Sequence, residues 1–207
     1  VDRPALPEGL YGIVDDQFPD PLGAAAAFAA AGCRVVQLRA KRASPPERRA
    51  LAAALVRQLR PAGVRFIVND DLACAMEVGA DGVHLGEGDG SPAEARARLG
   101  PTAHVGWSTH TLAHIAALDP AADHIGFGPV FGTRSKESPW SARGLDLLAA
   151  AVARSPVPVV AIGGVDLAGL PGVRAAGARH WAVISAVLAA PDREAAARAL
   201  MSAAPLD

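Results

Sequence analysis

Short β-branched runs alternate with alanine-rich amphipathic runs along the whole of this chain, and that alternation limits the possible folds more than any single motif does. Eight strand candidates stand out: residues 10–16 (LYGIVDD), 35–41 (VVQLRAK), 64–70 (VRFIVND), 82–88 (GVHLGEG), 103–110 (AHVGWSTH), 124–131 (HIGFGPVF), 158–164 (PVVAIGG) and 180–188 (HWAVISAVL). Helical patterns such as PPERRALAAALVRQLRP and GLDLLAAAVARS lie between them, and the last strand is followed by PDREAAARALMSA, with Asp192 as its expected N-cap. Most of the strands are continuous apolar runs, as expected of strands buried on both faces. Eight strands each followed by a helix predict a single (β/α)8 TIM barrel over residues 1–207, with its functional site at the C-terminal ends of the strands. The rival is an open doubly wound sheet, which carries a glycine-rich loop after its first strand. Here that position reads VDDQFPD. Glycines just before strands, in AAAGCRVVQLR, VGADGVHLG and AAGARHWAVIS, suit tight helix-to-strand turns.

A chain of 207 residues that is 51% hydrophobic can bury a large core. With 20 basic and 21 acidic residues it has no footprint for nucleic acid and no polybasic membrane anchor. No apolar run approaches the roughly 20 residues of a membrane helix, and the N-terminal VDRPALPEGL lacks a signal-peptide core. Cys33 and Cys74 lie in apolar stretches without metal-ligand spacing, which predicts two reduced, buried thiols in a cytoplasmic protein.

Placed on a barrel, the unusual polar residues gather at one end. Gln37, Arg39 and Lys41 alternate along the second strand and so share a face. Two cations turned toward a barrel mouth call for an anion, unless the strand end is simply solvated. Asn69, Asp70 and Asp89 close neighbouring strands and form a hard-oxygen set of the kind that holds Mg²⁺ with one or two carboxylates and substrate phosphate oxygens. Asp70 or Asp71 can also cap the next helix, and Asp89 can belong to a turn. The loop GPVFGTRSKESPWSARG brings Thr133, Ser135 and Lys136, which suit phosphate oxygens, and Trp140, which suits packing or stacking on a ligand. Gly163 and Gly164 at the end of strand seven and Ser185 in strand eight fit a phosphate site of the type found after these strands in such barrels. Ser108 and His110 end strand five; His110 is a base, a ligand hydrogen-bonder or a structural residue. His84 is expected to face into the barrel. Together these residues describe an enzyme that handles a diphosphate at one side of the mouth and a monophosphate at the other.

Along nearly its whole length the chain resembles the thiamine phosphate synthase family, through LYGIVDD, VVQLRAK, FIVNDDLACAMEVGADGVHLGEGD, VGWSTHT, IGFGPVFGTRSK, PVVAIGGV and AVISAV. The resemblance implies a Mg²⁺-dependent transferase that joins hydroxymethylpyrimidine diphosphate to thiazole phosphate and releases diphosphate. By resemblance Arg39, Lys41, Asn69 and Lys136 hold the diphosphate, and Asp70 and Asp89 ligate Mg²⁺. Gln37 and Ser108 contact the pyrimidine, and Thr133 and Ser135 line the lid. Gly164, Ile184 and Ser185 cradle the thiazole phosphate. Arg39, Lys41, Lys136 and Ser108 are the expected catalytic groups, and a homodimer is implied. Glu87, Trp107 and Ser135 depart from the family pattern. Glu87 is expected to add negative charge near the diphosphate, and Trp107 to reshape the pyrimidine pocket. The related thiazole tautomerase is the alternative enzyme, with His110 as acid/base, and a non-catalytic ligand-binding regulatory barrel is the third reading.

Overall fold

The computed structural model describes residues 3, 5–132 and 140–203. Eight parallel strands close on themselves in sequence order: β1 (Gly9–Asp15), β2 (Val35–Arg39), β3 (Arg65–Asn69), β4 (Gly82–Leu85), β5 (His104–Thr109), β6 (His124–Phe127), β7 (Val159–Ala161) and β8 (His180–Val183), with β8 pairing back onto β1. The helices around them are α1 (Pro21–Ala30), α2 (Pro45–Leu59), α3 (Leu72–Val78), α4 (Pro92–Leu99), α5 (Leu112–Ala116), α6 (Gly144–Arg154), α7 (Leu170–Ala175), α8 (Ser185–Leu188) and α9 (Arg193–Ser202). The (β/α)8 barrel expected from the alternation is the observed architecture.

Period two in the strands splits the buried residues into two layers. Val14, Leu38, Val68, Leu85, Ile125 and Trp181 point outward and pack under the helices. Tyr11, Ile13, Val35, Ile67, Val160 and Ala182 point inward and fill the barrel. The helix starts follow local chemistry. Asp192 Oδ1 accepts from Ala195 N at 2.9 Å and caps α9 as expected, and Asp71 caps α3 by accepting from Cys74 N at 2.8 Å. The glycines before strands adopt positive φ, as at Gly32 (89°), Gly79 (66°) and Gly177 (88°). Both cysteines are buried free thiols, their pKa values pushed up to about 11 mainly by burial. Among the described residues no helix is long and apolar enough to cross a membrane.

Strands four and seven stop three residues earlier than the sequence predicts, at Leu85 and Ala161, and strands six and eight stop earlier still. Strand six ends at Phe127, just before Gly128–Pro129, where proline removes a backbone donor. The eighth ends at Val183, and Ser185–Leu188 form a short helix. A short apolar run such as VISAVL fits either period, so its apolar character alone does not separate strand from helix.

Below the barrel, His104 is buried beside the Arg65 guanidinium. Burial first, and the Arg65 charge second, lower its pKa to about 4. Burial also lowers the pKa values of His124 and His180. These rings fold neutral but are protonated in the unfolded chain below its ordinary histidine value, so stability falls as pH drops from about 6.5 toward 4. For His104 alone the loss is about 3 kcal/mol. Urea unfolding at pH 7 and pH 4.5 should show this dependence, and His104→Asn should flatten part of it. An equal pH dependence in that variant would exclude His104 as a source.

Candidate active site

A cavity of about 620 Å³ opens at the C-terminal ends of the strands, and a second of about 280 Å³ lies beside it near β3 and β4; Asn69 lines both. Gln37 and Arg39 project from β2 into the larger cavity, one face of the strand as period two requires. Tyr11 Oη donates to Gln37 Oε1 at 2.8 Å, and Gln37 Nε2 donates to Asn69 Oδ1 at 2.9 Å, so the amide is held from two sides. Arg39 Nη1 donates to Asp15 Oδ2 at 2.7 Å, and Asp15 Oδ1 also accepts from Gln17 N at 2.9 Å. Asp15 is fully buried, so Arg39 is held by a partner that is itself fixed. Asp15 was missed in the sequence, although its alternation with Tyr11 and Ile13 on β1 was the available signal. It neighbours Arg39 only through the β1–β2 register.

The second cation takes a different course. β2 ends at Arg39, and Lys41 lies two residues beyond it, lining the smaller cavity and paired with Asp70. The anions that meet Arg39 and Lys41 are thus the protein's own carboxylates, where the sequence suggested a ligand anion. Asp70 has a left-handed backbone (φ 64°), a conformation that costs a non-glycine residue about 1–3 kcal/mol and concentrates at functional sites. Asp89 accepts from Gly86 N at 3.0 Å and reaches Asp70. Burial, then the hydrogen bond and charge of Asp70, raise its carboxyl above the ordinary aspartate range. The cap that Asp70 or Asp71 was expected to supply comes from Asp71, which leaves Asp70 at the cavity.

The far end of the larger cavity is formed by Gly163, Gly164, Ile184 and Ser185. Here the backbone needs glycine twice over. Gly163 and Gly164 have φ of 92° and 71°, and a Cβ on Gly163 would come within 2.4 Å of Pro129. Ser108 lines the same cavity with its Oγ 3.0 Å from His84 Nε2, so His84 faces inward as expected. His110 also lines it; its Nδ1 lies 2.7 Å from the Gly128 carbonyl, and its ring stacks on Trp140 with centroids 5.3 Å apart. Trp140 also carries the Arg143 guanidinium 4.5 Å over its ring, so it packs against the chain itself.

Two expectations need correction. Trp107 does not line the pyrimidine pocket: on β5 it points away from Ser108 and packs into the outer layer under the helices, because neighbouring strand residues face opposite sides. Glu87 is exposed and lines neither cavity. Thr133, Ser135 and Lys136 lie outside the described residues.

The chain matches the thiamine monophosphate synthase family over residues 10–187. It is 45% identical to the thiamine-phosphate synthase of Anaeromyxobacter dehalogenans over 201 residues, covering 94% of this chain and 87% of that one. It is 42% identical to the thiamine-phosphate synthase of Myxococcus xanthus, covering 97% and 94%. Among solved structures, the thiamine phosphate pyrophosphorylase of Pyrococcus furiosus superposes with a TM-score of 0.85 at 30% identity, covering 94% of each chain. With identity at this level carried across the barrel and its rim, the chain belongs to the thiamine monophosphate synthase family.

Proposed function

We propose that this chain joins hydroxymethylpyrimidine diphosphate to thiazole phosphate and releases diphosphate, with the pyrimidine over Gln37 and Ser108 and the diphosphate at the boundary of the two cavities. The observation that carries the reading is the convergence of the Asp70–Asp89 pair, Lys41 and Asn69 on one wall of a mouth whose opposite wall is Gly163, Gly164, Ile184 and Ser185. A substrate pair with a diphosphate and a separate monophosphate calls for two distinct polar walls in one mouth.

Asp70 and Asp89 suit Mg²⁺. They are hard oxygen donors, and two carboxylates pressed together raise the cost of ionising both, which a divalent cation removes. An ion held by this pair would take its remaining ligands from substrate oxygens and water. When bound, Mg²⁺ supplies positive charge to the diphosphate oxygens. In the reaction the bond between the pyrimidine methylene and the diphosphate oxygen breaks with its electron pair going to oxygen, and the thiazole nitrogen lone pair forms the new C–N bond. Arg39, fixed by Asp15, meets the developing charge without reorganising. Lys41 is half exposed, so its pair with Asp70 exchanges at little cost for a diphosphate oxygen. Lys136 has the diphosphate role that the resemblance implies, and Thr133 and Ser135 the lid role. The thiazole nitrogen already carries its lone pair, so His110 is not needed as a base. The homodimer and the cytoplasmic setting belong to the same proposal; the two buried free thiols support the setting.

The test is product formation. Thiamine phosphate should appear from the two substrates with Mg²⁺, fall to background in excess chelator, and return when Mg²⁺ is restored. Turnover that persists in chelator would remove the metal from the reading, and no product under any condition would remove the synthase assignment.

A further inference from the structure

In the wall of the larger cavity, His84 of β4 and His124 of β6, which the reaction above does not use, form a file that ends at Ser108 of β5. Ser108 Oγ lies 3.0 Å from His84 Nε2, and His84 Nδ1 lies 3.4 Å from His124 Nε2. The two imidazole centroids are 5.5 Å apart with a 36° tilt. Gly106 makes the room, since a Cβ there would come within 2.3 Å of His84 Nδ1 and 2.4 Å of His124 Nε2. His124 is fully buried, and burial, followed by the nearby histidines, keeps its ring neutral.

A neutral imidazole carries one N–H, so across the contact between the rings one nitrogen donates and the other accepts. His124 Nδ1 has no hydrogen-bond partner among the described residues. A buried N–H without an acceptor is costly, and an idle lone pair is tolerated more readily. The proton of His124 therefore sits on Nε2 and is donated to His84 Nδ1. With Nδ1 accepting, His84 carries its proton on Nε2 and donates it to Ser108 Oγ. With its oxygen already accepting, Ser108 turns its O–H toward the cavity.

We propose that His124 and His84 are positioning residues that set the direction of the hydrogen bond at Ser108 and make its hydroxyl a donor to the ligand. The inference rests on the function proposed above, in which Ser108 meets the pyrimidine. A donor there suits a ring nitrogen with an in-plane lone pair and disfavours a ligand that presents N–H at that edge. Across the cavity the polarity of Gln37 is set in the same manner from behind, by Tyr11 and Asn69.

Histidine tautomers in the unliganded chain can be read by long-range ¹H–¹⁵N NMR. The expected result is protonated Nε2 and bare Nδ1 on both His84 and His124. His124→Leu should shift His84 to a mixture of tautomers and raise KM for the pyrimidine diphosphate about five- to tenfold, with kcat within about twofold. His124→Gln, whose side-chain amide can donate, should recover most of that KM. Wild-type His84 protonated on Nδ1 overturns the inference even if no variant folds, and so does a folded His124→Leu with tautomer and KM unchanged. The tautomers need no turnover to be read. The expected tautomers in a chain that forms no thiamine phosphate would therefore support the histidine arrangement while overturning the synthase assignment.

Discussion

Replacing Asp89 by Asn is expected to lower kcat/KM for thiamine phosphate formation by about 10²–10³ while leaving the melting temperature at or slightly above the wild-type value. The two effects diverge for one electrostatic reason. Asp89 accepts a backbone hydrogen bond from Gly86, which an asparagine oxygen keeps, so local geometry survives. What disappears is a negative charge beside Asp70, a charge that burial and Asp70 already disfavour. Its removal relieves repulsion in the free protein, and under the proposed function it would also take half of the anionic pair away from Mg²⁺ and the leaving diphosphate. Steady-state assays over a Mg²⁺ titration, alongside thermal unfolding, measure both sides. Activity within threefold of wild type would take Asp89 out of the site, and a large fall in melting temperature would show that it serves the fold.

The largest stability effect is expected at a position with no functional group. Gly82 opens β4 and pairs in register with His104 on β5. A Cβ at Gly82 would lie 2.0 Å from the His104 carbonyl oxygen and 2.8 Å from its carbonyl carbon. The obstacle is backbone held in the barrel ladder, so no rotamer change relieves it and two strands must separate. Gly82→Ala should cost roughly 3 kcal/mol or more, at the upper end of overpacking effects. For a chain of this size that is about 10 °C in melting temperature. Gly32→Ala is the contrast: nothing lies within 4 Å of its added Cβ, leaving only the strain of its positive φ. A fall of less than about 3 °C in Gly82→Ala would mean that β4 and β5 move apart easily at this end.

Much of the barrel could be read from local pattern, because period and turn chemistry act over a few residues. The strands β1, β2, β3 and β5 lie within a residue or two of the runs that predicted them, β4 ends three residues short, and α2, α6 and α9 follow the helical patterns. The failures are also local in origin. Pro129 ended strand six early, and VISAVL fitted two periods at once. At the site, residues that line the mouth were legible by type and strand position: Gln37 and Arg39 by alternation, Asp70 by its place after β3, Gly164 by its place after β7. Trp107 was misplaced because the phase of alternation in VGWST is hard to assign among small residues, and the structure sets Ser108 inward.

By itself the sequence determined that eight strands and their helices would close a barrel and that acids, cations and glycines would reach one rim, since spacing along the chain controls both. Only the tertiary structure decided which of these groups touch. Asp15 meets Arg39 because β1 and β2 pair in one register, Lys41 meets Asp70 because β2 ends two residues before it, and His84 meets His124 across Gly106 because β5 leaves that layer without a side chain. The physical reason is range: periodicity fixes a face within one strand, whereas a partner 20 to 40 residues away is selected by strand register and by the space left inside the closed barrel.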